Sequence, residues 1–242
     1  MQKYFILKDD FENRRVNDLD SFHIINVMRQ KVGDSILIGY DNKTYLSKII
    51  SLKNKIVEFE IVEEIAGNHE MPAFVTIFQG YPKGDKIEDI IKHGTELGAY
   101  SFQLVITKRS VVKIDEKKID NKLIRFNKIA KEAAEQSYRD IVPKVEGIKE
   151  LKEFNFDLFD KKILCYEKMK DDSLTFKKIV SSIKPNEKVA IFVGPEGGID
   201  EAEVKYLESK GFISCGLGPR ILRCETAPLY VLSAISFETE LK

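Results

Sequence analysis

The spacing of hydrophobic positions changes between Ala66 and Pro72. Before this point the chain has short apolar runs separated by turn residues, without long helical periodicity. These runs are KYFIL, SILIGY, TYLSKII and IVEFEIVEEI. Short strands at such close spacing predict a small β-barrel or sandwich. One helical turn is predicted around SFHIINVMRQ, with Phe22, Ile25 and Met28 on one face.

After the change, candidate strands and helices alternate. Strands are predicted at AFVTIFQ, SFQLVIT, KILCYE, EKVAIFV and FISCGL, and helices at DKIEDIIKHGTELG, NKLIRFNKIAKEAAEQSYR, EAEVKYLESK and TAPLYVLSAISFETEL. Gly98 and Gly211 are predicted helix ends, and Asp200 with Glu203 forms a predicted capping box. The pattern favours an α/β fold with a mostly parallel sheet, and two domains at 1–68 and 69–242.

The composition bears on four classes of function: binding of nucleic acid, disulfide-bonded secreted proteins, membrane proteins and metal-binding proteins. The 242 residues carry 39 basic and 39 acidic side chains, so any binding of nucleic acid needs a local basic patch. Three cysteines without a CxxC pair are typical of a reduced, cytoplasmic protein. No apolar run approaches 18 residues, so no membrane span is expected. With three histidines and no HExxH, no metal site is predicted, and His93 is interpreted as a helix-surface or packing residue.

The segment VGPEGG follows a predicted strand and precedes a helix. Gly194, Gly197 and Gly198 allow close approach of a ligand to the backbone, or positive φ angles. N–H groups at the start of the next helix suit an anion or an adenine edge. A tight turn without a ligand is the alternative. The missing Gly-Lys-Ser/Thr excludes a Walker loop.

A second glycine-bearing loop is CGLGPRILRCETA, from Cys215 to Ala227. Arg220 and Arg223 lie beside apolar residues and Glu225, so the loop is suited to hold a ligand and reach an anionic partner. An ordinary surface loop with an Arg223–Glu225 pair explains it equally well. Glu135 and Arg139 have helical i, i+4 spacing, which by itself favours an intrahelical ion pair.

Together these segments resemble one family. KGDKIEDIIKHGTELG, EAAEQSYRDIVP, FVGPEGGIDEAEV and LGPRILRCETA are similar, in order, to the signatures of the ribosomal RNA small subunit methyltransferase E family (RsmE). The start of the chain adds HIINVMRQKVGD. The resemblance implies a PUA-like β-barrel followed by a SPOUT-class domain with a deep trefoil knot. It also implies a homodimer, S-adenosylmethionine as methyl donor, and methylation of uridine N3 at position 1498 of 16S ribosomal RNA in the small ribosomal subunit.

The resemblance, and the chemistry of the reaction that it implies, suggest roles for residues of this chain. The catalytic candidates are Arg139, Arg223 and Glu196, with the arginines facing the uracil oxygens and Glu196 acting either as a base or as a loop-holding group. The cofactor-binding candidates are Gly194, Pro195, Glu196, Gly197, Gly198, Leu217, Gly218, Ile221 and Leu222. The RNA-binding candidates are Lys3, Arg14, His23, Arg29, Lys108 and Arg109. Glycines are expected here because side chains would fill the cofactor slot.

Three positions depart from the family pattern: Lys3 where arginine is frequent, Phe22 before His23 where two histidines are frequent, and Cys224 where LRTETA has threonine. Two other functions stay open from the sequence. One is an RNA-binding module without catalysis, against which the two intact loops argue. The other is an enzyme that binds a nucleotide phosphate at the glycine loop, for which no Walker lysine or Mg²⁺ ligand pattern is found.

Overall fold

The computed structural model describes residues 1–53, 55–110, 118–169 and 172–241. The chain divides into two compact units. The first comprises Met1–Glu70 and Ala134–Val142, and the second comprises Met71–Ala133 and Pro143–Lys242. In the described parts of the chain, no helix has the length and apolar character needed to cross a membrane.

The first unit is built on a five-stranded sheet. Its strands are β1 (Lys3–Phe5), β2 (Arg15–Val16), β3 (Ser35–Tyr40), β4 (Lys43–Lys53) and β5 (Ile56–Ile65), and its helices are α1 (Lys8–Glu12) and α2 (Asp18–Phe22). The order is β1-β3-β4-β5-β2, with β1 parallel to β3 and the other pairs antiparallel. All four predicted apolar runs contain strands. Their inward side chains form a core around Tyr4, Ile38, Ile49 and Phe59.

The predicted helical turn exists, and it continues into a wider helix. After α2 the backbone continues as a π-helix over His23–Val27, with the N–H of Met28 donating to the carbonyl of His23. Such single-turn π-helices are rare and occur frequently at functional sites. Within it Ile24 is fully buried, whereas Phe22 and Met28 are exposed.

The second unit is built on a six-stranded, fully parallel sheet. Its strands are β6 (Phe74–Gly80), β7 (Ser101–Ile106), β8 (Lys144–Glu150), β9 (Lys161–Cys165), β10 (Lys188–Val193) and β11 (Ile213–Cys215). Its helices are α3 (Lys86–Glu96), α4 (Ile119–Gln136, whose last residues belong to the first unit), α5 (Ser173–Val180), α6 (Glu201–Ser209) and α7 (Thr226–Glu240). The strand order is β11-β9-β10-β6-β7-β8.

The α/β prediction and its five strands are confirmed, and the sixth strand, β8, was missed. The central strands β6 and β10 are apolar almost throughout because helices cover both faces of a parallel sheet. An aromatic core that includes Phe78, Phe156 and Phe212 packs on one face. Helix α3 ends before Gly98 and helix α6 before Gly211, and both glycines have positive φ. The predicted capping box of Asp200 and Glu203 is present.

Because all six strands are parallel, their carboxyl ends lie at one edge of the sheet. Loops that follow β9, β10 and β11 therefore emerge together, and ligands of open α/β sheets bind at this edge. The two glycine-bearing segments found in the sequence are the loops after β10 and β11.

Candidate functional site

A cavity of about 520 Å³ lies at this edge of the sheet, entirely within the second unit. Three loops line it, at 165–167, 193–198 and 216–225, and Lys86 and Ala227 complete the wall. All nine predicted cofactor-binding residues, from Gly194 to Leu222, contribute to this lining, and so does Arg223. The structure therefore brings the two glycine-bearing loops together around one cavity large enough for a small molecule.

The glycines of the loop after β10 pack against protein atoms. A Cβ on Gly194 would lie 2.6 Å from Cγ1 of Ile199, and a Cβ on Gly197 would lie 3.2 Å from Cβ of Arg109. Gly198 has φ +71°, and its Cβ would lie 2.8 Å from Oε1 of Glu167. The physical reason for these glycines thus differs from the expected one: they let the loop fold tightly against its neighbours, which shapes the cavity wall.

Glu196 is held by two donors. Its carboxylate accepts the backbone N–H of Lys83 at 3.1 Å and the ammonium of Lys86 at 2.9 Å. Partial burial alone would raise the pKa of Glu196, but these hydrogen bonds outweigh it and lower the pKa below its usual value. An ionised carboxylate engaged in this way is a weak base, so the contacts favour the loop-holding alternative for Glu196.

Lys86 also faces the other loop. Its ammonium lies 3.6 Å from a carboxylate oxygen of Glu225, in addition to its contact with Glu196. The pKa of Lys86 is raised, chiefly by the hydrogen bond to Glu196. Burial alone would raise the pKa of Glu225, but hydrogen bonds from its own backbone N–H and Cys224, with the charge of Lys86, lower it. A lysine therefore bridges the two cavity loops.

The outer rim of the cavity carries exposed side chains from the loop after β11. Arg223 has 83% of its side chain exposed, and its guanidinium lies 3.9 Å from Glu225. This long, solvated pair contributes little energy, so the guanidinium stays available to an anionic ligand. Ile221 is 76% exposed, and Leu217 and Leu222 are half-buried. Gly218 has φ +114°, and open space surrounds the position of its absent Cβ.

Two predicted RNA-binding residues support the loop after β10 from outside. Arg109 donates to the carbonyl of Gly197 at 3.1 Å, and Lys108 lies 3.2 Å from Asp200. The backbone N–H of Lys108 donates to Glu203. Both side chains remain exposed, so these contacts leave surface for an anionic partner.

Arg139 lies in the first unit, and among the described residues it is not part of the cavity lining. It is 2% exposed and forms a close ion pair with Glu70 through Nη2, while its Nε lies 3.2 Å from the same carboxylate. The backbone N–H groups of Asp140 and Ile141 also donate to Glu70. A direct contact of Arg139 with a bound base does not fit this burial.

Lys3 is also buried in the first unit, at 1% exposure. Its ammonium donates to Thr44 Oγ1 at 2.6 Å, to the carbonyl of Arg139 at 2.5 Å and to Asp140 at 3.2 Å. Burial lowers the pKa of Lys3, and Asp140 partly offsets this. The expected contact of Lys3 with RNA is corrected accordingly, because all three protons of the ammonium already have acceptors inside the unit.

The remaining predicted RNA-binding residues lie on the surface of the first unit. Arg14 and Arg29 are exposed and both have positive φ. Arg14 stacks over the Phe11 ring at 4.7 Å. His23 is half-buried, with Nδ1 at 3.0 Å from the hydroxyl of Tyr4. The two arginine side chains are available to a polyanion. His23 is less accessible, because it is half-buried and contacts Tyr4.

Sequence reasoning missed Lys86, Glu167 and Cys165 as cavity residues. Cys165 and Glu167 follow β9, and only the strand order places them beside the loop of β10. Lys86 is the first residue of α3, where a lysine has the appearance of a surface residue. In the described part of the chain, no cluster of three or more metal-ligating side chains is found.

Two protein-family models match this chain. An RNA methyltransferase domain model matches residues 69–236, and an RNA methyltransferase PUA domain model matches residues 16–62. The ribosomal RNA small subunit methyltransferase E of Bacillus subtilis is 43% identical, over 100% of this chain and 98% of its own length. The chain belongs to the ribosomal RNA small subunit methyltransferase E family.

Solved structures show the same fold for RsmE proteins. The enzyme from Neisseria gonorrhoeae, bound to S-adenosyl methionine, is 28% identical and has a TM-score of 0.82 over 98% of this chain and 97% of its own. A crystal structure of a hypothetical protein is 44% identical, with a TM-score of 0.89 over 99% of both chains. The chain is thus an enzyme of an RNA methyltransferase family with a PUA domain.

Cys224, a departure from the RsmE pattern, occupies the position of a hydrogen-bond donor. Its thiol donates to Glu225 at 3.2 Å. Burial, this hydrogen bond and nearby carboxylates raise its pKa to about 12. The thiol is therefore protonated and can provide the donor that a threonine hydroxyl would provide.

Proposed function

We propose that this chain transfers a methyl group from S-adenosylmethionine to N3 of uridine 1498 in 16S ribosomal RNA. Membership of the RsmE family supports action on the small-subunit RNA. The observation that carries the proposal is the cavity of about 520 Å³ enclosed by the loops after β9, β10 and β11. The loops after β10 and β11 contain the residues that match the family's cofactor signatures.

The residues present fit S-adenosylmethionine. Leu217, Ile221 and Leu222 offer an apolar surface to a flat adenine, and backbone groups of the glycine loop offer donors and acceptors. Glu167, Glu196 and Glu225 place carboxylates at a cavity that would hold a sulfonium cation. When bound, this cofactor supplies a methyl group that is already activated for displacement.

The chain must then align the nucleophile and stabilise its charge. Uridine N3 carries a proton that passes to solvent water, and its loss leaves negative charge on O2 and O4. The exposed guanidinium of Arg223 at the cavity rim is the side chain we assign to that charge. Glu196 holds its loop through Lys83 and Lys86 rather than serving as the base. Arg139 supports the first unit through Glu70 and acts on catalysis only indirectly.

The proposal extends to the architecture. The second unit is assigned to the SPOUT class, with a trefoil knot formed around the loops after β10 and β11. The first unit is assigned as a PUA-like β-barrel that binds RNA through Arg14, His23 and Arg29. A homodimer in the cytoplasm is expected, with domains divided near residue 68 as in the family pattern. The mass of a homodimer in solution would be twice the 27.8 kDa of one chain.

The decisive experiment uses small ribosomal subunits from cells that lack this protein. Purified protein is incubated with these subunits and S-adenosylmethionine labelled on the methyl group, and modified uridines are mapped by mass spectrometry. We expect one labelled N3-methyluridine at position 1498, and none with the Arg223→Met variant. Label at another nucleotide would overturn the assigned target. Binding without label would favour the rival RNA-binding module.

A further inference from the structure

Lys86 is the one described cation that contacts carboxylates of both glycine-bearing loops. Glu196 belongs to the loop after β10, and Glu225 to the loop after β11. These two strands are not neighbours in the sheet, because β9 lies between them. Hydrogen bonding between adjacent strands therefore does not fix the distance between the two loops, and another link has to do so.

The charge arrangement makes this link specific. Glu196 and Glu225 both line the cavity, and two ionised carboxylates repel each other when no cation lies between them. The Lys86 ammonium lies 2.9 Å from Glu196 and 3.6 Å from Glu225, so it replaces repulsion by attraction to both. The side chain is 37% exposed, so the bridge lies partly in solvent.

The position of Lys86 in its helix supports a role beyond local stability. It is the first residue of α3, where the helix dipole disfavours a positive charge. The other charged side chains of this first turn, Glu88 and Asp89, are acidic, as the dipole favours. A side chain that is unfavourable for its own helix but forms ion pairs at a binding cavity is typical of functional positions.

We infer that Lys86 is a positioning residue, which holds the two cavity loops at the separation that binds the cofactor. It acts through Glu196 and Glu225 and does not itself touch the ligand. Because the loops are pre-organised, less ordering remains to be done on binding, and affinity rises. The cofactor part of this inference rests on the proposed function, whereas the bridging of the loops does not.

The first test measures affinity for S-adenosylmethionine by titration calorimetry. We expect Lys86→Met to weaken binding about tenfold, and Lys86→Arg, which keeps the charge, to stay within about threefold of the natural protein. Lys92→Met is the matched control, because Lys92 is an exposed lysine of the same helix. Unchanged affinity in Lys86→Met would overturn the inference.

A mutant cycle separates positioning from direct contact. In a Glu196→Gln/Glu225→Gln background the bridge has no anions, so adding Lys86→Met should change affinity by less than about twofold. A full tenfold loss in that background would mean that Lys86 contacts the ligand, and the inference would fall. In turnover with small subunits, Lys86→Met should raise the KM for the cofactor much more than it lowers kcat.

A ligand-free measurement keeps this test independent of the proposed function. Amide hydrogen exchange in loops 194–198 and 216–225 should be faster in Lys86→Met than in the natural protein and in Lys92→Met. Equal exchange in all three proteins would overturn the inference. If the natural protein fails to bind S-adenosylmethionine, the proposed function fails, while the exchange comparison still decides on Lys86.

Discussion

At the scale of single residues, burial decides which cations are free to meet a ligand. Arg139 and Lys3 are both buried in the first unit, where Arg139 pairs with Glu70 and Lys3 pairs with Asp140. Arg223 keeps 83% of its side chain exposed and has only a distant carboxylate. Sequence motifs alone treat Arg139 and Arg223 alike, whereas the structure buries the first in an ion pair and leaves the second exposed at the cavity rim.

Arg139→Ala should destabilise the first unit. The substitution removes the guanidinium that pairs with Glu70, which is left partly buried with a net charge. We expect a loss of about 2–4 kcal/mol in the free energy of unfolding, measured by urea denaturation. Arg125→Ala is the control, because Arg125 is 64% exposed in its pair with Glu88, and about 0.5 kcal/mol or less is expected there. Equal losses would show that burial of the pair is unimportant.

The cysteines should be unreactive in the folded protein. Burial raises the pKa of Cys215 and of Cys224 to about 12, and raises that of Cys165 as well. At pH 8 the thiolate fraction is then about 10³-fold lower than in the unfolded chain, so reaction with Ellman's reagent should slow at least in proportion. The unfolded chain loses these protons first, so the free energy of unfolding falls as pH rises from about 9 towards 12. Rapid labelling of native protein at pH 8 would contradict this.

At the scale of elements, the loop after β10 depends on its contact with the segment that carries Arg109. The Cβ introduced at Gly197 would lie 3.2 Å from Arg109 Cβ and 3.3 Å from its carbonyl oxygen, and backbone cannot move aside easily. Gly197→Val should therefore displace the loop and weaken binding of S-adenosylmethionine by about 100-fold, measured by calorimetry. Gly197→Ala, with fewer atoms to place, should weaken it less. Equal affinities would mean that the loop tolerates displacement.

The alternation of strand-like and helix-like patterns predicted most elements of the second unit. The elements that it missed, β8 and α5, have physical explanations. Strand β8 is KVEGIKE, a charged edge strand in which only Val145 and Ile148 are buried apolar residues. Helix α5 is eight residues long, too short for a clear helical period. Glycine signatures located the cavity loops. Lys86 could not be found in this way, because its partners lie 110 and 139 positions away along the chain and no periodic pattern relates them.

At the scale of the whole molecule, a net charge of zero means that attraction to RNA must come from local groups. Arg14 and Arg29 are exposed basic residues of the first unit, of which residues 16–62 match an RNA methyltransferase PUA domain model. Their arrangement can be tested through the salt dependence of binding, since each phosphate contact releases counterions.

Arg14→Gln/Arg29→Gln should weaken binding to small ribosomal subunits, and the plot of log affinity against log salt should become less steep by about 1.5. Affinity for S-adenosylmethionine should be unchanged, because the residues lining the cavity all belong to the second unit. Lys177→Gln/Lys178→Gln, two exposed lysines of α5, is the control with the same charge change. An unchanged slope in the arginine variant would remove these residues from the RNA contact.

The buried ammonium of Lys3 also constrains how the protein is made. Its acceptors Arg139 and Asp140 are synthesised more than 130 residues later. A backbone donor to Glu70, that of Asp140, belongs to the same late segment. A nascent chain that has emerged only to residue 70 therefore offers the Lys3 ammonium Thr44 but neither Arg139 nor Asp140, which opposes its burial. Glu70 likewise lacks the guanidinium of Arg139. Amino-terminal domains generally fold first during translation. The first unit cannot be completed, however, until its second segment, Ala134–Val142, has been synthesised.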